Sequence, residues 1–231
     1  MDSADATGPE RVGVLYSEDG MLLTRHKTRK VIRDAASQIV PGMVEDDALD
    51  IVRRLLEDAG MDRTWHPSRV RFGSNTVWPM PEPSTRGVVL ADDDIFLIDI
   101  APRLGPWEGG GGASFVVGNR HEYAKCVADA ESLFEELRLL WIAQRLSGAA
   151  LYRRAGEIAH AMGWHLGRHE MGHRISDYPH SAMHRGSLAD FHGTPSPLMW
   201  AIEIHLLDPE RRFGAFYEDV LLRDSYYERS K

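Results

Sequence analysis

Three carboxylates stand inside apolar runs that read as β-strands: Asp99 in DIFLIDI (94–100), Glu203 in WAIEIHLL (200–207) and Glu218 in FGAFYEDVLL (213–222). An ionised carboxylate buried without a partner is costly, so each must reach solvent, meet an arginine or be neutralised in another way. One such residue is most simply an edge carboxylate or half of an ion pair. Three of them, together with the histidine-rich stretch RHEMGHRISDYPH at 168–180, point to a divalent cation, which neutralises several carboxylates at once. The same stretch contains His169-Glu170-Met171-Gly172-His173, a His-Glu-x-x-His spacing that on a helix sets two imidazoles on one face to hold zinc. That alternative needs Gly172 in mid-helix and a third ligand in register, and no further His or Glu supplies one convincingly.

The elements that must carry these groups follow from periodicity. Residues 27–39 read as a helix with Val31, Ile32, Ala35, Ala36 and Ile39 on one face, stopped by Pro41-Gly42. A second helix is expected over 45–59, with a stripe of Ala48, Ile51, Val52, Leu55 and Leu56 and Gly60 as its cap. The proline-rich segment 64–87 reads as loop with short strands. Strands at 94–100 and 114–119 follow, joined through the glycine run 109–112. Amphipathic helices at 121–146 and 151–162 come next, then the two glutamate-bearing strands. The order helix-helix, strands, helix-helix, strands predicts an α+β domain of two similar halves.

Bulk properties narrow the function classes. A chain of 231 residues, 43% of them hydrophobic, supports one sizeable core. Residues 1–20 read as a partly disordered N-terminal tail and 21–231 as a single catalytic domain. The net charge of −8 argues against nucleic acid or an anionic membrane as the main partner. No run of apolar residues is long enough to span a bilayer. The polar, acidic start MDSADATGPERVG is unlike a signal peptide, and the lone Cys126 excludes an internal disulfide, so a cytoplasmic location is expected. Cys126 falls in a helical pattern and reads as a core residue.

Over about residues 24–224 the chain resembles the pita-bread metallopeptidases: methionine aminopeptidase, aminopeptidase P, prolidase and creatinase. ADDDIFLID (91–99) stands for the family's Gly-Asp-x-x-x-x-Asp, and GHRISDYPH (172–180) for Gly-His-Gly-Ile-Gly-x-x-x-His. IEI and YED stand for its two glutamate strands, and His173 and His180 keep the family's separation of seven residues. The resemblance implies the pita-bread fold, two pseudo-symmetric halves each built of a helix pair and antiparallel strands. It also implies a divalent-metal centre with ligands in the order Asp, Asp, His, Glu, Glu. Asp99, His173, Glu203 and Glu218 then become metal ligands, while His165, His169 and Glu170 become bystanders. A small-molecule substrate and a homodimer are further implications.

The pattern breaks at the second aspartate. Counting eleven residues on from Asp99, or back from Phe115, lands on Gly110, and Ala113 stands where an arginine is usual. Glu108 lies nearby but two residues out of place. The three remaining carboxylates carry −3, so one divalent ion leaves −1 and two leave +1 in a site short of its bridging ligand. One metal per chain (Fe, Mn, Co or Zn) is therefore expected. Met80 occupies the place of the family's substrate-side histidine. Arg174 and Ser176 replace two glycines after His173, which should narrow the cleft, and Ser181 replaces a glutamate. His180 is the candidate catalytic acid/base, and His66, Met80, Gly110 and Arg174 the candidate substrate-binding positions. The expected function is a metal-dependent enzyme acting on a small amino-acid-like substrate by hydrolytic, lyase or other metal-assisted chemistry. The alternatives are an Xaa-Pro-type aminopeptidase or dipeptidase, and an inactive binding module that keeps the fold.

Overall fold

The computed structural model describes residues 8–61 and 63–229. The first half runs α1 (Glu18–Ala36), α2 (Glu45–Asp58), β1 (Arg63–Thr64), β2 (Arg69–Phe72), β3 (Asp94–Ile100), β4 (Pro102–Leu104), β5 (Trp107–Glu108) and β6 (Gly111–Val117). The second runs α3 (His121–Gln144), α4 (Gly148–Ala161), β7 (His165–Leu166), β8 (His173–Arg174), β9 (Trp200–Leu207) and β10 (Gly214–Val220), followed by the short α5 (Asp224–Arg229). The main sheet is ordered β2-β3-β6-β10-β9-β7, with β8 pairing on β9 as well, and all its pairs are antiparallel. β1, β4 and β5 form a small side sheet. None of the described helices is long and apolar enough to cross a membrane.

Alternation along the strands separates the two faces of the sheet. Phe96, Ile98 and Ile100 of β3 pack with Ile32, Val52 and Leu56 of the first helix pair. Trp200, Ile202, Ile204 and Leu206 of β9 pack with Leu133, Leu137 and Leu151 of the second pair. Both helix pairs thus cover one face, each over its own half of the sheet. The intervening residues, Asp99 on β3 and Glu203 on β9, look the other way, which is how buried strands come to carry them.

Three element starts differ from the sequence expectation by three residues or more. α1 begins at Glu18, capped by Ser17, rather than at 27. Its first turns bury Thr24 and Thr28 beside Met21, and their hydroxyls bond back to the carbonyls of Gly20 and Thr24, so the buried face here is partly hydroxyl and breaks the apolar stripe. β6 begins at Gly111 rather than Ser114, and the last glycines of the run are strand, not connector. A Cβ on Gly112 would strike the Phe216 ring of the neighbouring strand, so only glycine lets the two pair here. α4 starts at Gly148, three residues before 151, where Ser147 accepts from the Ala150 N–H. Of the segment expected as a partly disordered tail, residues 1–7 lie outside the described residues. Within 8–20, Glu10 accepts from the Trp200 indole and from the backbone N–H and hydroxyl of Ser196, and Gly13 donates to Asp177.

Candidate metal centre

Strand register assembles the site. Asp99 lies opposite Gly112, Gly112 opposite Glu218, and Glu218 opposite Glu203, one row across four neighbouring strands on the face away from the helices. His173 on β8 pairs with Ala201, two residues before Glu203, and so presents its ring to the same face. One ligand atom from each of His173, Glu203 and Glu218 lies within 4.8 Å of the other two. Asp99 belongs to the same row and lines the same cavity, outside that closest set of three.

Second partners orient these groups. His173 Nδ1 donates to the Arg174 carbonyl at 2.7 Å, which directs Nε2 into the cluster, 3.1 Å from Glu218 Oε1. Glu203 Oε2 accepts from the Gly172 N–H at 2.8 Å. Glu218 Oε2 and Asp99 Oδ1 are buried and have no hydrogen-bond partner. Burial pushes the carboxyl groups of Asp99, Glu203 and Glu218 above the usual carboxylate range. Burial alone would lower the His173 pKa, but the Glu218 hydrogen bond and the charges of Glu203 and Glu218 outweigh it and raise it. Orphaned carboxylate oxygens, converging negative charge and an imidazole held by its far nitrogen are the features of a divalent-cation site, and the oxygen-plus-imidazole donor set fits a first-row metal.

Position 110 faces this cluster directly. An ideal Cβ on Gly110 would lie 2.7 Å from Glu218 Oε1 and 3.5 Å from His173 Cε1. Glu108 does not take its place. That carboxylate is buried and accepts from the Ser176 N–H at 3.1 Å, the His180 N–H at 2.9 Å and His180 Nδ1 at 2.8 Å.

A cavity of about 340 Å³ opens onto Asp99, His173 and Glu203, and both His66 and Met80 line it. His180 lies beside it, its ring stacked on that of His173 at 6.0 Å. Arg174 turns away from the cavity, contrary to the substrate-binding expectation. Its fully buried guanidinium donates to the carbonyls of Pro9, Arg11, Ile175 and Met199 and ties the N-terminal segment to the sheet. It therefore cannot narrow the cleft. The His-Glu-x-x-His stretch is not a helix: Gly172 has a φ of +70° and His173 lies in β8, so the zinc-helix alternative has no structural basis. His169 and Glu170 are more than bystanders, since both line the cavity. Glu170 accepts from the Met80 N–H at 2.6 Å and pairs with His205 at 3.3 Å, joining the two walls.

Sequence reasoning missed Trp65, Glu170 and His205. Period two in WAIEIHLL does place His205 on the face of Glu203, a signal the alternation alone supplies. The Trp65 edge meets the rings of His66, His173 and His180 at 4.4–4.9 Å, and nothing in its local sequence announces those contacts.

Two helix-pair halves around a sheet whose open face gathers Asp, His, Glu and Glu define a pita-bread metalloenzyme fold. The chain belongs to metallopeptidase family M24, whose family model matches residues 20–223. Its fold is similar to that of a prolidase from Thermococcus sibiricus, with a TM-score of 0.73 and 16% identity over 89% of this chain and 56% of that one. It is similar to an X-Pro aminopeptidase from Thermotoga maritima, with a TM-score of 0.68 and 17% identity over 89% and 58%. It is also similar to a methionine aminopeptidase from Thermotoga maritima, with a TM-score of 0.68 and 12% identity over 90% and 94%. The chain thus spans less than two thirds of the length of the prolidase and the X-Pro aminopeptidase. A comparison with curated protein sequences finds no match.

Proposed function

We propose that this chain is a metal-dependent enzyme with a single-cation centre, acting on a small amino-acid-like substrate rather than as a general peptidase. The direction of Gly110 carries the reading: the position from which a bridging carboxylate would enter the cluster holds no side chain. Without that bridge, a second cation would meet the repulsion of the first with less screening. His173, Glu203 and Glu218 would hold the ion, with Asp99 as a fourth ligand or a nearby base. When bound, such an ion polarises a carbonyl or carboxylate oxygen and makes water more acidic.

The chain's own groups supply the rest. The Gly172 N–H fixes the Glu203 carboxylate, and the Arg174 carbonyl fixes the His173 ring. His180, stacked on His173, is the group placed to take up or return a proton. The 340 Å³ cavity is at the small end for ligand pockets, a size suited to one or two residues rather than an extended peptide. Likeness in fold to prolidases and an X-Pro aminopeptidase favours a second reading, cleavage of Xaa-Pro dipeptides. Met80 in place of a substrate-side histidine, and the vacated position 110, weigh against it.

Metal analysis of the purified chain after extensive dialysis tests the proposal, with one ion per chain as the expected result. Two fully occupied ions would overturn the single-cation centre, and none would favour a binding module. Turnover of Xaa-Pro or Met-Xaa peptides with any added metal would favour the peptidase reading.

A further inference from the structure

We infer that Glu108 is a positioning residue for His180, locking its imidazole with the proton on Nδ1 and leaving Nε2 as the bare, proton-accepting nitrogen of a ring stacked on that of His173. The inference rests on the reading of the cluster as a reaction centre, but its geometry is independent of any metal. A carboxylate without its proton can only accept hydrogen bonds, so the 2.8 Å contact from His180 Nδ1 to Glu108 Oε2 places the proton on Nδ1. The same oxygen accepts from the Ser176 N–H and the other accepts from the His180 N–H, so the carboxylate is held by three donors and has no freedom to swing away. Glu108 is only 1% exposed, and water does not compete for it.

The ring is fixed from its other sides too. The Trp65 edge meets it at 4.8 Å, and the His173 ring lies parallel to it within 28°. Trp65 is itself tied by its indole N–H to the Gly109 carbonyl at 2.7 Å. Adjacent residues 108 and 109 therefore set both His180 and the tryptophan packed on it. A proton leaving water or substrate for Nε2 makes an imidazolium whose new charge faces the Glu108 carboxylate, and the same proton is later returned to a leaving group from Nε2. The family's metal-bridging position is vacant at 110, while a carboxylate two residues earlier serves the proton-transfer partner instead of the cation.

Glu108 also pins the 176–180 loop through its backbone, donating its N–H to the Ser176 carbonyl, and a clamp with no other role is the rival account. The tautomer of His180 separates the two. In a long-range proton–nitrogen spectrum of the ¹⁵N-labelled full chain, at a pH where free imidazole is neutral, His180 is assigned by the signals lost in His180→Asn. The expected pattern is one set of signals with a protonated Nδ1 and a bare Nε2. In Glu108→Ala the pattern should give way to a mixture of both tautomers. A wild-type ring that is Nε2-protonated or averaged between the forms overturns the inference, as does a Glu108→Ala ring that keeps the wild-type pattern. If the alanine variant fails to fold, the wild-type spectrum decides alone. The spectrum is recorded on the metal-free and the zinc-loaded chain, so a failed lock and a failed metal site are read from different measurements.

Discussion

Restoring an acid at position 110 is the sharpest perturbation of the proposed centre. In Gly110→Asp the new Cβ starts 2.7 Å from Glu218 Oε1, a contact relieved by a small rotation of the flexible glutamate. The new carboxylate then sits against Glu218, at the edge of the carboxylate cluster, with no added positive charge. Two unit charges about 4 Å apart repel by about 4 kcal/mol at an effective dielectric of about 20. Uptake of a proton by one of the carboxyls relieves part of this. The metal-free variant should therefore lose up to about 4 kcal/mol, equivalent to roughly 8–16 °C in Tm for a chain of this size. A second divalent ion should return much of the loss, about 2.7 kcal/mol when its free concentration is about a hundred times Kd. Thermal melts with none, one and two equivalents of manganese, cobalt or zinc, together with metal analysis after dialysis, provide the measurement. The wild type should saturate at one ion and the variant at two, with the variant gaining more from the second equivalent. A metal-free variant as stable as the wild type would show that position 110 does not face the carboxylates. A variant that stops at one ion would show that a carboxylate there bridges nothing.

The remaining expectations concern residues away from the cation. Arg174→Met removes a donor from four backbone carbonyls, of which that of Met199 keeps the Ile175 N–H, and should cost about 3 kcal/mol or more in a denaturant melt, while the folded fraction keeps the wild-type metal stoichiometry. The Cys126 thiol is buried and pushed up to about 12 by that burial, so a thiol reagent in mildly alkaline buffer should label the native chain far below one equivalent and the denatured chain fully. Asp208, bonded to the Arg212 guanidinium and to the backbone N–H groups of Glu210 and Arg212, is held below the usual carboxylate range. Its contribution to stability is complete above the unfolded value of about 4 and is lost as pH falls through the lower folded value. Asp208→Asn should thus be less stable at neutral pH and show a flatter acid limb in melts taken between neutral and strongly acidic pH.

The row of carboxylates was legible because apolar strands do not tolerate acids without cause. Asp99, Glu203 and Glu218 each stood out in an otherwise apolar run, and strand alternation set Asp99 and Glu203 on a face opposite their flanking isoleucines. The helix pairs were legible from periodicity, except where Thr24 and Thr28 carry α1 into the core through hydroxyl-to-carbonyl bonds that no hydrophobic pattern records. Arg174 misled because an arginine in a glycine's place near a cleft reads as a substrate contact. Only the fold shows that its donors are taken by carbonyls of residues 9 and 11, more than 160 positions away in sequence. Glu170 and Trp65 were hidden for the same reason, since their partners lie on segments far along the chain.

The stretch WEGGGG (107–112) serves several parts of the proposed centre at once. Its residues alternate between partners at single-residue intervals: Glu108 takes the His180 ring, the Gly109 carbonyl takes the Trp65 indole, position 110 faces Glu218, and Gly112 admits the Phe216 ring. A shift of register by one residue would exchange these assignments wholesale, because successive side chains in an extended chain point to opposite sides. An acid placed at 110 would therefore add a charge to the carboxylate cluster without disturbing the orientation of His180. It follows that metal stoichiometry and the His180 tautomer should vary independently: Gly110→Asp should change the first and spare the second, and Glu108→Ala should do the reverse. If both observables move together in either variant, the two sites are not separate devices on one segment.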